Sequence, residues 1–206
     1  LLVSLLFAAF DFKPSIPVKK HTFYRQVFDA FFERHDLTKG DGFMHEKKSK
    51  LAIDDFDTVM RYLGFDCQKK QKVEFEKDEL LKMIRSTQER LPRICFQESD
   101  LLSDLLKAVP LFCKDGLFYK WTHKSLQEYF AAEFIYKDAK DNQDAVLSAI
   151  YRSKNLDRYL NLLDLYFDID FVGFQKNILT PFLKDFVEYY ESCTIKLQNI
   201  SQTLLD

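Results

Sequence analysis

The chain has 206 residues, enough for one or two domains with a sizeable core. Apolar residues make up 47% and charged residues 30%, an ordinary globular balance, and 21 Phe beside only 5 Gly and 5 Pro favour helices over a many-stranded β fold. A formal net charge of −2 gives no global basic field to draw in nucleic acid or acidic lipid, and the separated Cys67, Cys95, Cys113 and Cys193 form no Cys-x-x-Cys pair for zinc or dithiol redox chemistry.

Leu1–Phe10 is apolar all round and reads as a helix buried between others. It is too short for a membrane span, which needs about 20 apolar residues. No initiator Met or basic stretch precedes it, so the chain is expected to start in mid-domain, as a fragment of a longer protein. Pro14 and Pro17 end this helix. His21–His35 reads as an amphipathic helix with Phe23, Val27, Ala30, Phe31 and Arg34 on one stripe. Asp36–Gly42 is a turn region; its faint likeness to a calcium loop fails because Asp41 stands where Gly is required and Lys47 where Glu is required.

The spacing predicts a helix over Glu46–Leu63 with Leu51, Phe56, Val59, Met60 and Leu63 inward. Val73-Glu74-Phe75 reads as a short strand, and Asp78–Arg90 as a helix carrying Leu80, Leu81 and Ile84. Glu98–Val109 follows as another helix, with Ser99 as its expected N-cap and Leu101, Leu102, Leu105, Leu106 and Val109 inward. Aromatic-rich runs on either side of Asp115-Gly116 predict a β-hairpin over Leu111–Trp121. A further helix begins after Thr122. Beyond Lys140, helical stripes fall at Ala145–Ile150, Leu156–Phe167 and Ile178–Tyr190, with Pro181 suited to an early helix turn.

The stretch Trp121-Thr122-His123-Lys124-Ser125-Leu126-Gln127-Glu128-Tyr129-Phe130-Ala131-Ala132 carries the chemistry. Thr122 can cap the new helix with its hydroxyl, and Ser125 followed by Glu128 offers a capping box one turn later. Either choice puts His123 at the helix N-terminus, where free N–H groups and the helix dipole favour an anion. The same dipole favours a neutral imidazole, which still donates one N–H to a phosphate oxygen. Leu126, Phe130 and Phe134 form a core stripe, while Gln127 and Glu128 are read as tying the hairpin to neighbouring segments. A lone histidine at a helix start is usually a cap or a solvated residue, so the assignment rests on the whole pattern.

That pattern, (aromatic)-x-His-x-Ser-(apolar)-Gln-Glu-(aromatic)-(aromatic)-Ala-Ala, resembles the winged-helix motif of NACHT-type STAND NTPases, the ATP-switched family that includes NOD-like receptors and bacterial immune sensors. There the histidine touches a phosphate of the bound nucleotide, which the resemblance implies for His123. Upstream, Leu1–Phe10, Ile16-Pro17 and a Tyr24–Asp36 helix ending in Arg34-His35-Asp36 look like the helical segment that follows the nucleotide-binding core in that family. The likeness covers about residues 1–140. It implies a helical domain over 1–44 and a winged-helix domain over 45–140 in the order helix–strand–helix–helix–hairpin–helix; residues 141–206 match nothing in the family and read from their apolar stripes as a C-terminal helical segment, so the whole chain is expected to be mainly α.

The chain departs from the family in having no Gly-x-x-x-x-Gly-Lys-Ser/Thr loop and no apolar strand ending in acidic residues, and the proline-containing sensor motif expected before Leu1 is absent. Alone it is therefore expected to be no enzyme and to hold no cofactor, with ADP or ATP and magnesium belonging to a parent protein. The resemblance implies a cytoplasmic signalling or defence protein without a membrane anchor. Its partners would be the missing nucleotide-binding domain and, on activation, further copies of itself. Two other classes compete. In a DNA-binding winged helix the reading helix would be near Glu98–Val109, but Glu98, Asp100 and Asp104 make that face acidic, so nucleic acid is not expected. A helical interaction adaptor is the other. An enzyme fits least, since His21, His35, His45 and His123 pair with no evident nucleophile and neither His-Glu-x-x-His nor Gly-x-Ser-x-Gly occurs.

Overall fold

Few helix breakers and many long apolar side chains produce a mainly helical molecule around one small sheet. A computed structural model describes residues 2–15, 17–37 and 47–203. Helix α1 (Leu2–Phe12) lies against α2 (Lys20–Leu37). Among its described side chains Leu5 and Ala9 are buried, while Val3, Phe7 and Phe10 stay exposed. The expectation of a helix buried on all sides is corrected here, because α2 supplies cover on one side only. Gln26 of α2 holds the end of α1, its amide donating to the carbonyls of Ala9 (2.7 Å) and Lys13 (2.8 Å). The buried stripe of α2 runs through Tyr24, Val27, Phe28, Ala30 and Phe32, one position on from the predicted Phe23 and Phe31, which are partly buried. The predicted turn and calcium-like loop lie outside the described residues beyond Leu37, as do Ile16 and the Glu46 start of the next predicted helix.

That next helix, α3 (Ile53–Lys70), starts well after Glu46. Lys48 and Ser49 donate their backbone N–H groups to the Asp104 carboxylate (2.8 and 2.9 Å), and Lys50 takes φ 55°, so this stretch is claimed by a distant carboxylate instead of a helical ladder. The predicted inner face holds: Leu51, Phe56, Val59, Met60 and Leu63 are all buried. Strand β1 (Glu74–Glu76) leads into α4 (Lys77–Glu89) and then α5 (Glu98–Lys107), whose N-cap is Gln97 and not Ser99. Strands β2 (Phe112–Asp115) and β3 (Phe118–Trp121) complete an antiparallel sheet in the order β1-β3-β2, with Phe75 opposite Tyr119 and Phe112 opposite Trp121. Asp115 pairs with Phe118, so the two loop residues are Gly116 and Leu117. Gly116 takes φ 60°, the left-handed conformation that a tight hairpin asks of glycine at its first loop position. The chain thus runs in the helix–strand–helix–helix–hairpin–helix order of a winged helix.

Helix α6 (Lys124–Lys137) is the hub of the molecule. Every residue from Leu126 to Ile135 is buried, because α3, α8 and α2 cover different sides of it. Gly64 makes the α3–α6 contact possible: a Cβ there would lie 2.7 Å from Phe130 Cβ and 3.1 Å from the Gln127 carbonyl oxygen. Near this contact Arg61 reaches both Asp57 and Asp138 (Nε–Oδ2 2.6 Å), and Arg25 of α2 lies 3.6 Å from Asp57. Burial raises the Asp57 carboxyl above its ordinary value, although Arg61 and Arg25 pull the other way.

Helix α7 (Gln143–Tyr151) and a 3₁₀ turn over Leu156–Tyr159 precede α8 (Leu160–Ile169), which packs on α6 and α2. Then α9 (Phe171–Phe174) continues without a break through a π-turn (Gln175–Leu179) into α10 (Thr180–Thr203). Pro181 was expected in an early helix turn; it stands near the start of α10, inside this continuous helical rod. It brings no N–H and crowds the carbonyl four residues back, so the wider π-turn just upstream accommodates it. Buried residues from Leu5 to Ile178 form one hydrophobic core spanning all three sequence regions. Among the described residues no helix is long and apolar enough to cross a membrane.

Candidate functional site

The N-terminus of α6 is set by the hairpin that leads into it. The Thr122 backbone N–H donates to the Leu111 carbonyl (2.8 Å) and its hydroxyl to the Pro110 carbonyl (2.8 Å). Thr122 is therefore not the helix cap, as sequence reasoning expected; its hydroxyl is spent on closing the base of the hairpin. The cap is His123 itself, with extended backbone (φ −147°, ψ 133°) and with Nδ1 accepting the Ser125 N–H at 3.2 Å. The His123 carbonyl accepts the Leu126 N–H at 3.0 Å and opens the helical ladder.

This cap assigns the tautomer. Nδ1 acts as an acceptor, so in the neutral ring the proton sits on Nε2, which is left as an N–H donor. Nδ1 engages the Ser125 backbone and not its hydroxyl, so no nucleophile–base pair is formed.

His123 and Ser125 line a cleft of about 500 Å³ between the α1–α2 region and the start of α6. Val3, Leu6, Pro17, Val18, Phe23 and Tyr24 form its apolar wall, and Lys20 and Asn161 add polar groups. Lys20 is ion-paired with the Asp164 carboxylate, which holds its ammonium above the ordinary value, so the cation at the rim already has a partner. The cleft is thus largely apolar, with the His123 ring and the Lys20–Asp164 pair at its polar edge. Among the described residues no group of His, Cys, Asp and Glu could hold a metal ion.

The remaining motif residues face away from this cleft or support it from behind. Gln127 is buried and donates to the Gln68 side chain of α3 (3.1 Å), and Gln68 in turn donates to the Arg158 carbonyl (3.3 Å). Glu128 is buried, accepts from Asn161 of α8 (2.6 Å) and pairs with Lys124 (3.0 Å). Both therefore tie α6 to α3 and α8, not to the hairpin, and Ser125 and Glu128 form no capping box. Sequence reasoning missed Lys20, Phe23 and Tyr24 as cleft residues, and Asn161 as the partner of Glu128. Pro17-Val18-Lys19-Lys20 ahead of an aromatic helix was the available local signal. Asn161 had none, since its role comes from α8 folding back on α6. No family model matches the sequence, and no curated protein matches it.

Proposed function

We propose that this chain is the nucleotide-sensing, autoinhibitory part of a NACHT-type STAND NTPase that acts in cytoplasmic signalling or defence. The observation that carries the reading is the His123 cap: its Nδ1 is committed to Ser125, which leaves Nε2–H as a fixed donor on a cleft walled by aromatic and aliphatic side chains. Such a cleft matches a nucleotide, with its base against Pro17, Phe23 and Tyr24 and its phosphates toward His123 and Lys20. The phosphate loop and magnesium would come from the nucleotide-binding domain of the parent protein, so the chain alone neither holds ATP tightly nor hydrolyses it.

The switch follows from unequal affinity. With ADP bound, the winged helix closes on the nucleotide through His123 and keeps the protein monomeric. Exchange for ATP weakens the closed form, and the population moves to an open, self-associating form. In the intact protein His123→Ala is expected to weaken ADP binding by about 10- to 100-fold, the loss of one hydrogen bond to a charged group, and to raise basal activity. Calorimetric titration with ADP is the test, and unchanged ADP affinity overturns the role given to His123.

A further inference from the structure

The C-terminal turns of α3 and the outer side of α4 border a second cleft, of about 570 Å³, that shares no residue with the one at His123. Both of its carboxylates are already partnered: Asp66 is ion-paired with Arg90, and Glu79 with Lys72. Arg90 is held further, its Nε donating to the Ser86 carbonyl (3.3 Å) and its guanidinium lying 5.0 Å from the Tyr62 ring. These pairs tie the end of α3 to α4 and fix the walls. Lys69, Lys70 and Lys82 also line the cleft, and none of them has an ion pair or hydrogen bond to a described residue.

The helix dipole favours lysine in a last helical turn, which accounts for Lys69 and Lys70. It does not account for Lys82, which stands inside α4 and brings a third ammonium to the same cleft. The backbone beneath the first two is closed off: Gln71 takes φ 53°, and the Lys72 N–H donates to the Cys67 carbonyl at 3.2 Å. Five cations there (the three lysines, Lys72 and Arg90) meet two carboxylates, a net charge of +3 in a chain whose total is −2.

The free donors define the ligand. Arg90, the one guanidinium in the lining, is spent on Asp66, so no planar fork is left for a carboxylate. Three ammonium groups remain, and lysine binds phosphate as a point charge. Met83 is the one apolar side chain among the described lining residues, and no aromatic ring lines the cleft to stack on a base. The cations converge on one bounded volume, within the about 300–1,000 Å³ of small-molecule sites, where nucleic acid asks for a stripe along a face.

We infer that this cleft binds a compact, soluble, multiply charged phosphate compound through Lys69, Lys70 and Lys82. The site is independent of the nucleotide reading, since α4 contributes nothing to the His123 cleft.

Calorimetric titration of the full chain with inorganic tripolyphosphate is the test, with one site per chain expected. Lys69→Gln/Lys70→Gln/Lys82→Gln is expected to weaken binding by at least about 30-fold, through loss of three charge-assisted contacts. Lys13→Gln/Lys107→Gln/Lys184→Gln removes the same charge from lysines outside the cleft and is expected to weaken it by less than about 3-fold, the effect of screened distant charges. All six positions are exposed, so both variants are expected to keep the wild-type circular dichroism spectrum and thermal transition. His123→Ala is expected to leave tripolyphosphate binding unchanged, so the two readings fail separately. No binding at millimolar tripolyphosphate overturns the inference, as does an equal loss in both triple variants. A duplex oligonucleotide or an anionic vesicle bound in preference to tripolyphosphate overturns the compact ligand.

Discussion

Phe130 shows how much of this molecule depends on single side chains in α6. Its ring is fully buried, 5.5 Å from Phe28 at a right angle and 6.0 Å from Trp121, so it joins α2, α6 and the end of the hairpin. Phe130→Ala is expected to destabilise the chain by about 3–5 kcal/mol, because neighbours on three elements cannot collapse into the space left behind. Urea denaturation measures this, and near-wild-type stability refutes the packing role. His123 is the opposite kind of residue. It contributes little to the core, and its value lies in which ring nitrogen the backbone has already engaged. That detail could not be read from the sequence, which offered Thr122 and Ser125 as caps and His123 only as a neighbour at the helix start. The choice was made by Pro110, whose carbonyl lies close enough to take the Thr122 hydroxyl.

Helices α3 and α6 make the central contact, and Gly64 sets their separation. In an open helix Gly→Ala is stabilising by about 1 kcal/mol, since alanine has the higher helix propensity. At Gly64 the sign reverses: the new methyl meets Phe130 Cβ at 2.7 Å, and Gly64→Ala is expected to cost about 1–3 kcal/mol net. A thermal scan showing equal or higher stability would mean that the helices can part without penalty. The inner faces of α3, α4 and α5 were legible because apolar periodicity reports one-sided burial directly. The hairpin was legible because a glycine between aromatic runs has few other uses. The start of α3 was not, because Asp104, far along the chain, captures the backbone of Lys48 and Ser49. Helix α6 was only partly legible. A helix covered from three sides has no polar face, so its pattern marks the stripe Leu126–Phe130–Phe134 but not the burial of Gln127, Glu128 and Glu133.

At the scale of the whole molecule, one continuous core makes stability a shared property, and alkaline pH probes it. Cys67 is fully buried, and burial pushes its thiol up to about 12. An unfolded thiol ionises near ~8.5. The folded value is thus the higher one, so this group's contribution is fully present below ~8.5 and is lost as pH rises toward the folded value. Denaturant midpoints are expected to fall across that window, and less steeply in Cys67→Ala. Iodoacetamide at mildly alkaline pH is expected to label the exposed Cys95 and spare Cys67 until denaturant is added. Equal labelling of both in the native protein would contradict the buried placement.

The last third of the chain reaches the walls of the His123 cleft through α8. Asp168 of α8 accepts the first backbone N–H of α2 at 3.0 Å, and Asn161 at the other end of α8 grips Glu128, one turn below Lys124. One short helix thus clamps both jaws of the cleft at once. A substitution that displaces α8 is thus expected to disturb both walls together, the start of α2 through Asp168 and α6 through Asn161.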